Sequence, residues 1–233
     1  QQSLVQARAN RRRIDWSAPK AQVPRVPGIQ RFDDYPLSEL LGYIDWMPFF
    51  NAWESAGKFP EVLADPVVGE AAISLYADAR SMLKRLIAEK WLTVRAVVGL
   101  FPASSVGDDV EIYTDNSRSR VAQTLCFLRQ QKGKPEGQFH ECLADFVAPK
   151  ASGVADWMGA FAVTSGIGIE EHIARFERGH DDYSSIMPKA PADRLAEASA
   201  ERLHEGVRRE FWGYAPEERL GNEQLIREGY RGI

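Results

Sequence analysis

The sequence predicts an α+β fold in which a mostly antiparallel sheet is flanked by helices, and three observations carry that prediction. Strand signals cluster at 94–101, 109–114 and 121–129, each rich in β-branched and aromatic residues and joined by short turns such as Ser105-Val106-Gly107-Asp108, which favours antiparallel pairing. An amphipathic helix precedes them over 70–88, where Ala72, Leu75, Tyr76, Ala79, Met82, Leu83 and Leu86 recur at i, i+3, i+4 and i+7. The last third of the chain then turns helical. Runs of strands followed by runs of helices point to α+β rather than a doubly wound sheet.

In chain order, residues 1–25 hold Arg8, Arg11, Arg12, Arg13, Lys20 and Arg25 against the single acid Asp15, while the rest of the chain holds 23 basic and 32 acidic residues. Such a basic run can serve a nucleic acid or a membrane surface, but it lacks interleaved aromatics and the acidic body repels phosphates, so neither partner is expected. Residues 17–28 contain three prolines and no periodicity and read as an extended linker to something upstream. Residues 36–41 read as a helix start with Pro36 in its first turn, and Pro48 opens a further turn or helix. Trp46, Phe49, Phe50 and Trp53 fall within eight residues and read as a core anchor. Further strands are read at 143–147 and 157–164, helices at 168–178 and 191–211, and a short helix at 223–228 behind an Asn222 cap.

Composition bounds the function. The 233 residues are 44% hydrophobic and 27% charged, with 29 Lys+Arg against 33 Asp+Glu, an ordinary soluble balance in one or two domains that needs no crosslinks to fold. The two cysteines, Cys126 and Cys142, match neither a redox pair nor a secreted disulfide framework, and no secretory signal opens the chain, so a reducing, cytoplasmic setting is expected. The uncharged stretch 96–107 contains Pro102 and is well short of the roughly 20 apolar residues of a membrane helix.

The common catalytic signatures are absent. No GxxxxGK[ST], GxGxxG or GxSxG occurs; Gly166-Ile167-Gly168 continues into Ile-Glu-Glu, which would put acids where a phosphate should sit. His140, His172, His180 and His204 form no HxxxH or HExxH pair. The adjacent residues of His140-Glu141-Cys142 and His180-Asp181-Asp182 point to opposite faces of a strand, so no metal site and no catalytic residue are expected. The helix at 191–211 is more informative. Asp193, Glu197, Glu201 and Glu205 lie four apart and form one slowly drifting carboxylate stripe, with Arg194, Arg208 and Arg209 spaced to pair with Glu197 and Glu205. This is either a solvated, salt-bridged face or a row from which one acid enters a cleft to meet a cationic ligand. Asp45, directly beside Trp46 in an apolar stretch, is costly to bury unless it is paired or binds something. Carboxylates with aromatic faces suit a positively charged ligand such as an amine or a sulfonium.

The blocks YIDWMPFFNAW (43–53), VVGLFPASSVGDDVEIYTD (97–115), ECLADFVAPKASGVADWMGAFAVTSG (141–166), HDDYSSIMPKAPADRLAEASAERLHEGVRREFWGYAPEE (180–218) and LIREGYRGI (225–233) closely resemble the reactivation domain of cobalamin-dependent methionine synthase. The resemblance runs in long collinear blocks from about residue 26 to the end. It implies a domain over 26–233 that binds S-adenosylmethionine, preceded at 1–25 by a linker from a cobalamin-binding domain of the same enzyme. It further implies that the domain presents the methyl group of S-adenosylmethionine to cob(I)alamin while a flavodoxin-type protein supplies the electron that reduces inert cob(II)alamin. By resemblance Asp45 matches the family's ligand-contacting aspartate, and Glu197 and Glu228 match glutamates near the ligand's charged groups.

In the family, the block ending in Tyr-x-Gly-Ile continues into Arg-Pro-x-Pro-Gly-Tyr-Pro, which forms much of the ligand-facing and corrin-facing surface. This sequence stops at Ile233. The expectation is a site incomplete on its C-terminal side, without the arginine that answers the ligand's carboxylate, in a chain not catalytically active alone. Two further readings stay open: a docking module for the cobalamin domain and flavodoxin that does not bind S-adenosylmethionine in this form, and a folded fragment whose acidic stripe is only a solvated face.

Overall fold

Five strands make one sheet among the described residues, in the order β1 (Gly28–Phe32), β2 (Thr93–Val106), β3 (Asp109–Tyr113), β4 (Val121–Cys126), with β5 (Asp156–Ile167) paired to β2. A computed structural model of the chain describes residues 2–17, 21–53, 57–180 and 182–232. Lys20 of the basic leader and part of the proline-containing stretch lie outside the described residues. The chain divides into two units. One comprises Gln1–Ile29, Gly99–Ala160 and Glu210–Tyr214, and the other Gln30–Val98, Phe161–Arg209 and Ala215–Ile233.

In the first unit β2 and β3 pair antiparallel from Ala103↔Ile112 to Val106↔Asp109, and β3 pairs antiparallel with β4. The loop between β2 and β3 is Gly107-Asp108. Gly107, at φ +68°, takes the first turn position, where a two-residue hairpin needs a positive φ. β2 runs past the expected end at 101 because Pro102, which has no N–H to offer, falls just ahead of the registered pairing with β3. Ala103, Val110, Ile112, Cys142, Ala144 and Val147 form the core of this unit, with Phe101, Leu125, Phe127 and Met158 packed on it. The stretch read as a strand at 143–147 is instead a 3-10 turn, Leu143–Phe146. Asp145 closes it by accepting from Cys142 N at 3.0 Å, and its carboxylate also answers Arg129. β4 likewise stops at Cys126, short of 129, and Arg129 turns inward. Both cysteines are free.

The N-terminal residues belong to this unit. Helix α1 (Leu4–Ala9) starts at Ser3, whose hydroxyl accepts from Gln6 N while the Gln6 amide accepts from Ser3 N. Arg8 bonds Asp108 at 2.7 Å, Asn10 Nδ2 meets His140 Nδ1 at 2.9 Å, and Arg12 pairs with Glu141. Further on, Arg25 N and Val26 N donate to the carbonyls of Trp212 and Phe211. Gly213 has φ +77°, a conformation that favours glycine, and a Cβ there would lie 2.4 Å from Arg25 Nε and push that flexible side chain aside. The reading of 1–25 as a linker does not anticipate these ties.

The second unit is mostly helical: α2 (Leu37–Leu40) with the 3-10 turn Leu41–Tyr43, α3 (Met47–Ala52), α4 (Gly69–Ala88), α5 (Glu170–Arg178), α6 (Asp182–Ile186), α7 (Lys189–Gly206) and α8 (Asn222–Ile226). α7 meets α2, the turn Leu41–Tyr43, α3, α4 and α6. It buries Ala192, Leu195, Ala198, Ser199 and Leu203, successive members of one helix face three or four residues apart. Pro191 is tolerated in its first turn, where an N–H would go unpaired anyway. Phe49 and Phe50 are buried with Trp46, Phe59 and Tyr76 around them in edge, stacked and tilted contacts. That is the core anchor read from their spacing. The helix read to 211 instead changes at Gly206 into a π turn, Val207–Phe211. Asn222 is the first residue of α8 rather than its cap; Gly221 precedes it, and the Asn222 side chain donates to Ile44 O at 3.0 Å. No helix among the described residues is long and apolar enough to cross a membrane.

Candidate functional site in the second unit

A helix turns by about 100° per residue, so acids four apart drift by about 40° per step. The stripe on α7 shows what that drift does. Asp193 and Glu197 are exposed, Glu201 is half-buried and Glu205 is buried. The same four-residue spacing therefore supplies solvated acids at one end of the helix and enclosed ones at the other.

Glu197 makes the expected i+3 pair with Arg194 at 2.6 Å and is 58% exposed. Glu205 accepts from the Tyr43 hydroxyl and from Arg209. Burial alone would raise the Glu205 carboxyl, but those two hydrogen bonds, with the charges of Arg209 and Arg202, outweigh it and hold the group below the usual carboxylate range. Tyr43 is pushed up to about 12, first by burial and then by Glu205. Arg208 does not pair with Glu205 as its spacing suggests. The π turn shifts its direction, and its Nε bonds Glu218 at 2.7 Å instead.

Asp45 lies between the turn Leu41–Tyr43 and α3. Its Oδ1 accepts from Met47 N at 2.9 Å, a local Asx turn that leads into α3. The Tyr43–Glu205 bond ties this loop to α7, and the Asn222–Ile44 bond ties it to the start of α8. Glu228 follows α8. It is exposed and adopts φ +55°, a left-handed conformation uncommon for a residue with a side chain. Loop 44–46, the C-terminal half of α7 and the start of α8 are thus linked; Asp45 stands on the first of these pieces, and Glu228 follows the last. Glu197 stands on the exposed, N-terminal half of α7.

The residues beyond those three are Glu201, His204, Arg208 and Tyr230. The Arg208 guanidinium lies over the Tyr230 ring at 4.4 Å, and His204 meets the same ring edge-on at 4.8 Å. Burial, then Glu201 and Glu228, push Tyr230 up. Burial and the Arg208 charge push His204 down. The Glu201 carboxyl is raised by burial and by the Glu228 charge, against the pull of Arg208. Glu201 was visible in the sequence as one of four equivalent acids. The spacing marked Arg208 as a partner for Glu205, not for Tyr230, which it meets by way of the π turn; Tyr230 carried no local signal. The histidines fall on separate elements, and no group of three His, Cys, Asp or Glu side chains is placed to hold a metal ion among the described residues.

An α+β domain with this acid-lined helix end has a close structural counterpart. A crystal structure of the MetH reactivation domain bound to AdoHcy matches with a TM-score of 0.95 and 53% identity, over 100% of this chain and 71% of that one. The sequence family described as vitamin B12 dependent methionine synthase, activation domain, matches residues 36–233. The chain belongs to that family of activation domains.

Proposed function

We propose that this chain binds S-adenosylmethionine and orients its methyl group for transfer to reduced cobalamin during reactivation of the parent methyltransferase. The observation that carries the reading is similarity, over the whole of this chain, to a reactivation domain bound to AdoHcy, the demethylated form of the same ligand. Asp45, Glu197 and Glu228 supply carboxylates toward the ligand's ammonium and sulfonium, through charge-assisted contacts stronger than neutral ones. Holding the sulfonium methyl in line with its acceptor is catalysis by proximity, and transfer leaves S-adenosylhomocysteine on the domain. Cobalamin, the acceptor, belongs chiefly to another domain of the parent enzyme, and a flavodoxin-type partner supplies the electron. The work of this chain's residues is to bind and orient the donor.

Calorimetric titration tests this directly. The chain is expected to bind S-adenosylmethionine saturably, and Asp45→Asn to weaken binding by about tenfold or more. Asparagine keeps an oxygen to accept from Met47 N, so the substitution removes charge while preserving the turn. Unchanged affinity in Asp45→Asn would remove Asp45 from the site. No binding by the unsubstituted chain would favour a docking module, which predicts salt-dependent binding to partner proteins alone.

A further inference from the structure

A polar atom enclosed by protein without a partner is costly, and an amide that carries one calls for an explanation. Asn222 at the start of α8 is such an amide. Its Nδ2 donates to Ile44 O at 3.0 Å, while its Oδ1 is buried and has no hydrogen-bond partner among the described residues. Only the nitrogen can face a carbonyl, so the acceptor on Ile44 fixes which end of the amide points where. In stability, the bond gained and the oxygen stranded roughly offset each other. What remains is placement, and the carbonyl so placed belongs to the peptide unit that joins Ile44 to Asp45.

That peptide unit lies at a corner. Ile44 leaves the turn Leu41–Tyr43 in an extended conformation, φ −70° and ψ 119°, and Trp46 has already turned helical, φ −84° and ψ −14°, ahead of α3. The corner is gripped on either side of Asp45: Tyr43 donates to Glu205, the Ile44 side chain is buried, and Trp46 stands edge-on to Phe49 at 5.5 Å and to Tyr76 at 4.8 Å. Asp45 itself is half-buried and spends Oδ1 on Met47 N, and Oδ2 has no hydrogen-bond partner among the described residues. A rotation of the Ile44–Asp45 peptide would re-aim that spare oxygen. We infer that Asn222 is a positioning residue of the donor site: by holding the Ile44 carbonyl it aims the Asp45 carboxylate at the cationic ligand. The inference rests on the reading of Asp45 as a contact to S-adenosylmethionine and adds the side chain that orients it. Charge-assisted contacts are short and directional, so a small error in aim forfeits much of what the charge offers.

A double-mutant cycle tests this, because a residue that acts only through Asp45 has nothing to lose once the Asp45 charge is gone. S-adenosylmethionine is titrated by calorimetry into the full chain, Asn222→Leu, Asp45→Asn and the double variant. Asn222→Leu is expected to weaken binding about fivefold and Asp45→Asn about tenfold, with the double variant within about twofold of Asp45→Asn alone. Asn222→Ala run in parallel is expected to match Asn222→Leu, which separates loss of the bond from a misfit of the larger side chain. Both single variants at Asn222 should keep the binding stoichiometry and melt no earlier than the unsubstituted chain, since each removes a stranded oxygen with the bond. Losses that multiply to about fiftyfold in the double variant, or no loss on substituting Asn222, overturn the inference and leave the parent reading standing. If the unsubstituted chain does not bind, the parent reading falls and this inference with it.

Discussion

Among the described residues each unit encloses one arginine side chain completely, and the two are treated in opposite ways. Arg129 in the first unit has every direction answered: Nε bonds Asp108 at 2.8 Å, Nη1 bonds His140 O at 2.7 Å and Asp145 at 2.8 Å, and Nη2 bonds Asp145 at 2.7 Å. Arg208 in the second unit has one carboxylate, on Nε, and an aromatic face. Burial of a charge is tolerable when the hydrogen-bond shell is complete. The first cluster therefore does structural work, pinning the turn Leu143–Phe146 and, through Asp108, receiving Arg8 from the N-terminal helix. The second leaves donors and an acceptor unspent beside the acids that the family resemblance associates with a ligand.

The largest expected effect comes from deleting the satisfied arginine. Arg129→Met strips both arginine contacts from Asp145 and leaves Asp108 with Arg8 alone, at acids whose side chains are 4% and 8% exposed. Breaking such a pair from one side costs about 3–5 kcal/mol. Arg208→Met strands only Glu218 and removes two unpaired donors at the same time, so its expected cost is about 1–2 kcal/mol. Urea unfolding midpoints of the two variants measure the difference. Equal losses would mean that Arg208 is as fully partnered in solution as Arg129, and the contrast between the clusters would fall.

The same contrast explains what could be read from the residues in order. Local periodicity placed α4 within one residue of its observed start and located the first residues of β3 and β4, because a repeating apolar face is a property of neighbours in sequence. It missed β1, where Ile29 is 56% exposed and no apolar alternation exists. It read Leu143–Phe146 as a strand because the deciding contact, Asp145 to Arg129, spans sixteen residues. On α7 the acid stripe was plain, but which acid turns inward depends on the rotational phase of the helix against its neighbours. That phase is set by Leu195, Ser199 and Leu203 meeting the rest of the unit, and spacing alone does not contain it. Asp45 and Glu228 were named through family resemblance. Locally, one looks like a costly acid beside a tryptophan and the other like an ordinary helix-end residue.

A smaller effect tests how the inner end of the stripe is held. Tyr43→Phe removes one of the two donors on Glu205, at an expected cost of about 1 kcal/mol near neutral pH. Because the folded-state Glu205 carboxyl lies below its unfolded value, its stabilisation is complete above the unfolded value of about 4.3 and is lost as pH falls through the lower, folded value. The gap between the unsubstituted chain and Tyr43→Phe should accordingly be widest near pH 7 and narrow below about pH 4. Tyr43, itself raised to about 12, remains a donor throughout that range. A gap that stays constant to pH 3 would show that the tyrosine acts by packing alone.

The smallest effect belongs to the outer end of the same stripe. Arg194 and Glu197 form an i, i+3 pair in which the acid is 58% exposed, and such pairs contribute at most about 0.5 kcal/mol. Arg194→Ala should shift the unfolding midpoint by no more than that. Its effect on the ligand is the sharper reading, because Arg194 competes for the carboxylate that the proposed site assigns to the donor. If Glu197 turns toward a bound cation, loss of its competitor raises S-adenosylmethionine affinity slightly, by about twofold or less, and the gain fades as salt screens the exposed charge. If affinity instead falls while stability holds, Arg194 itself touches the ligand, and the division of α7 into an outer solvated end and an inner binding end has been drawn one turn too far along the helix.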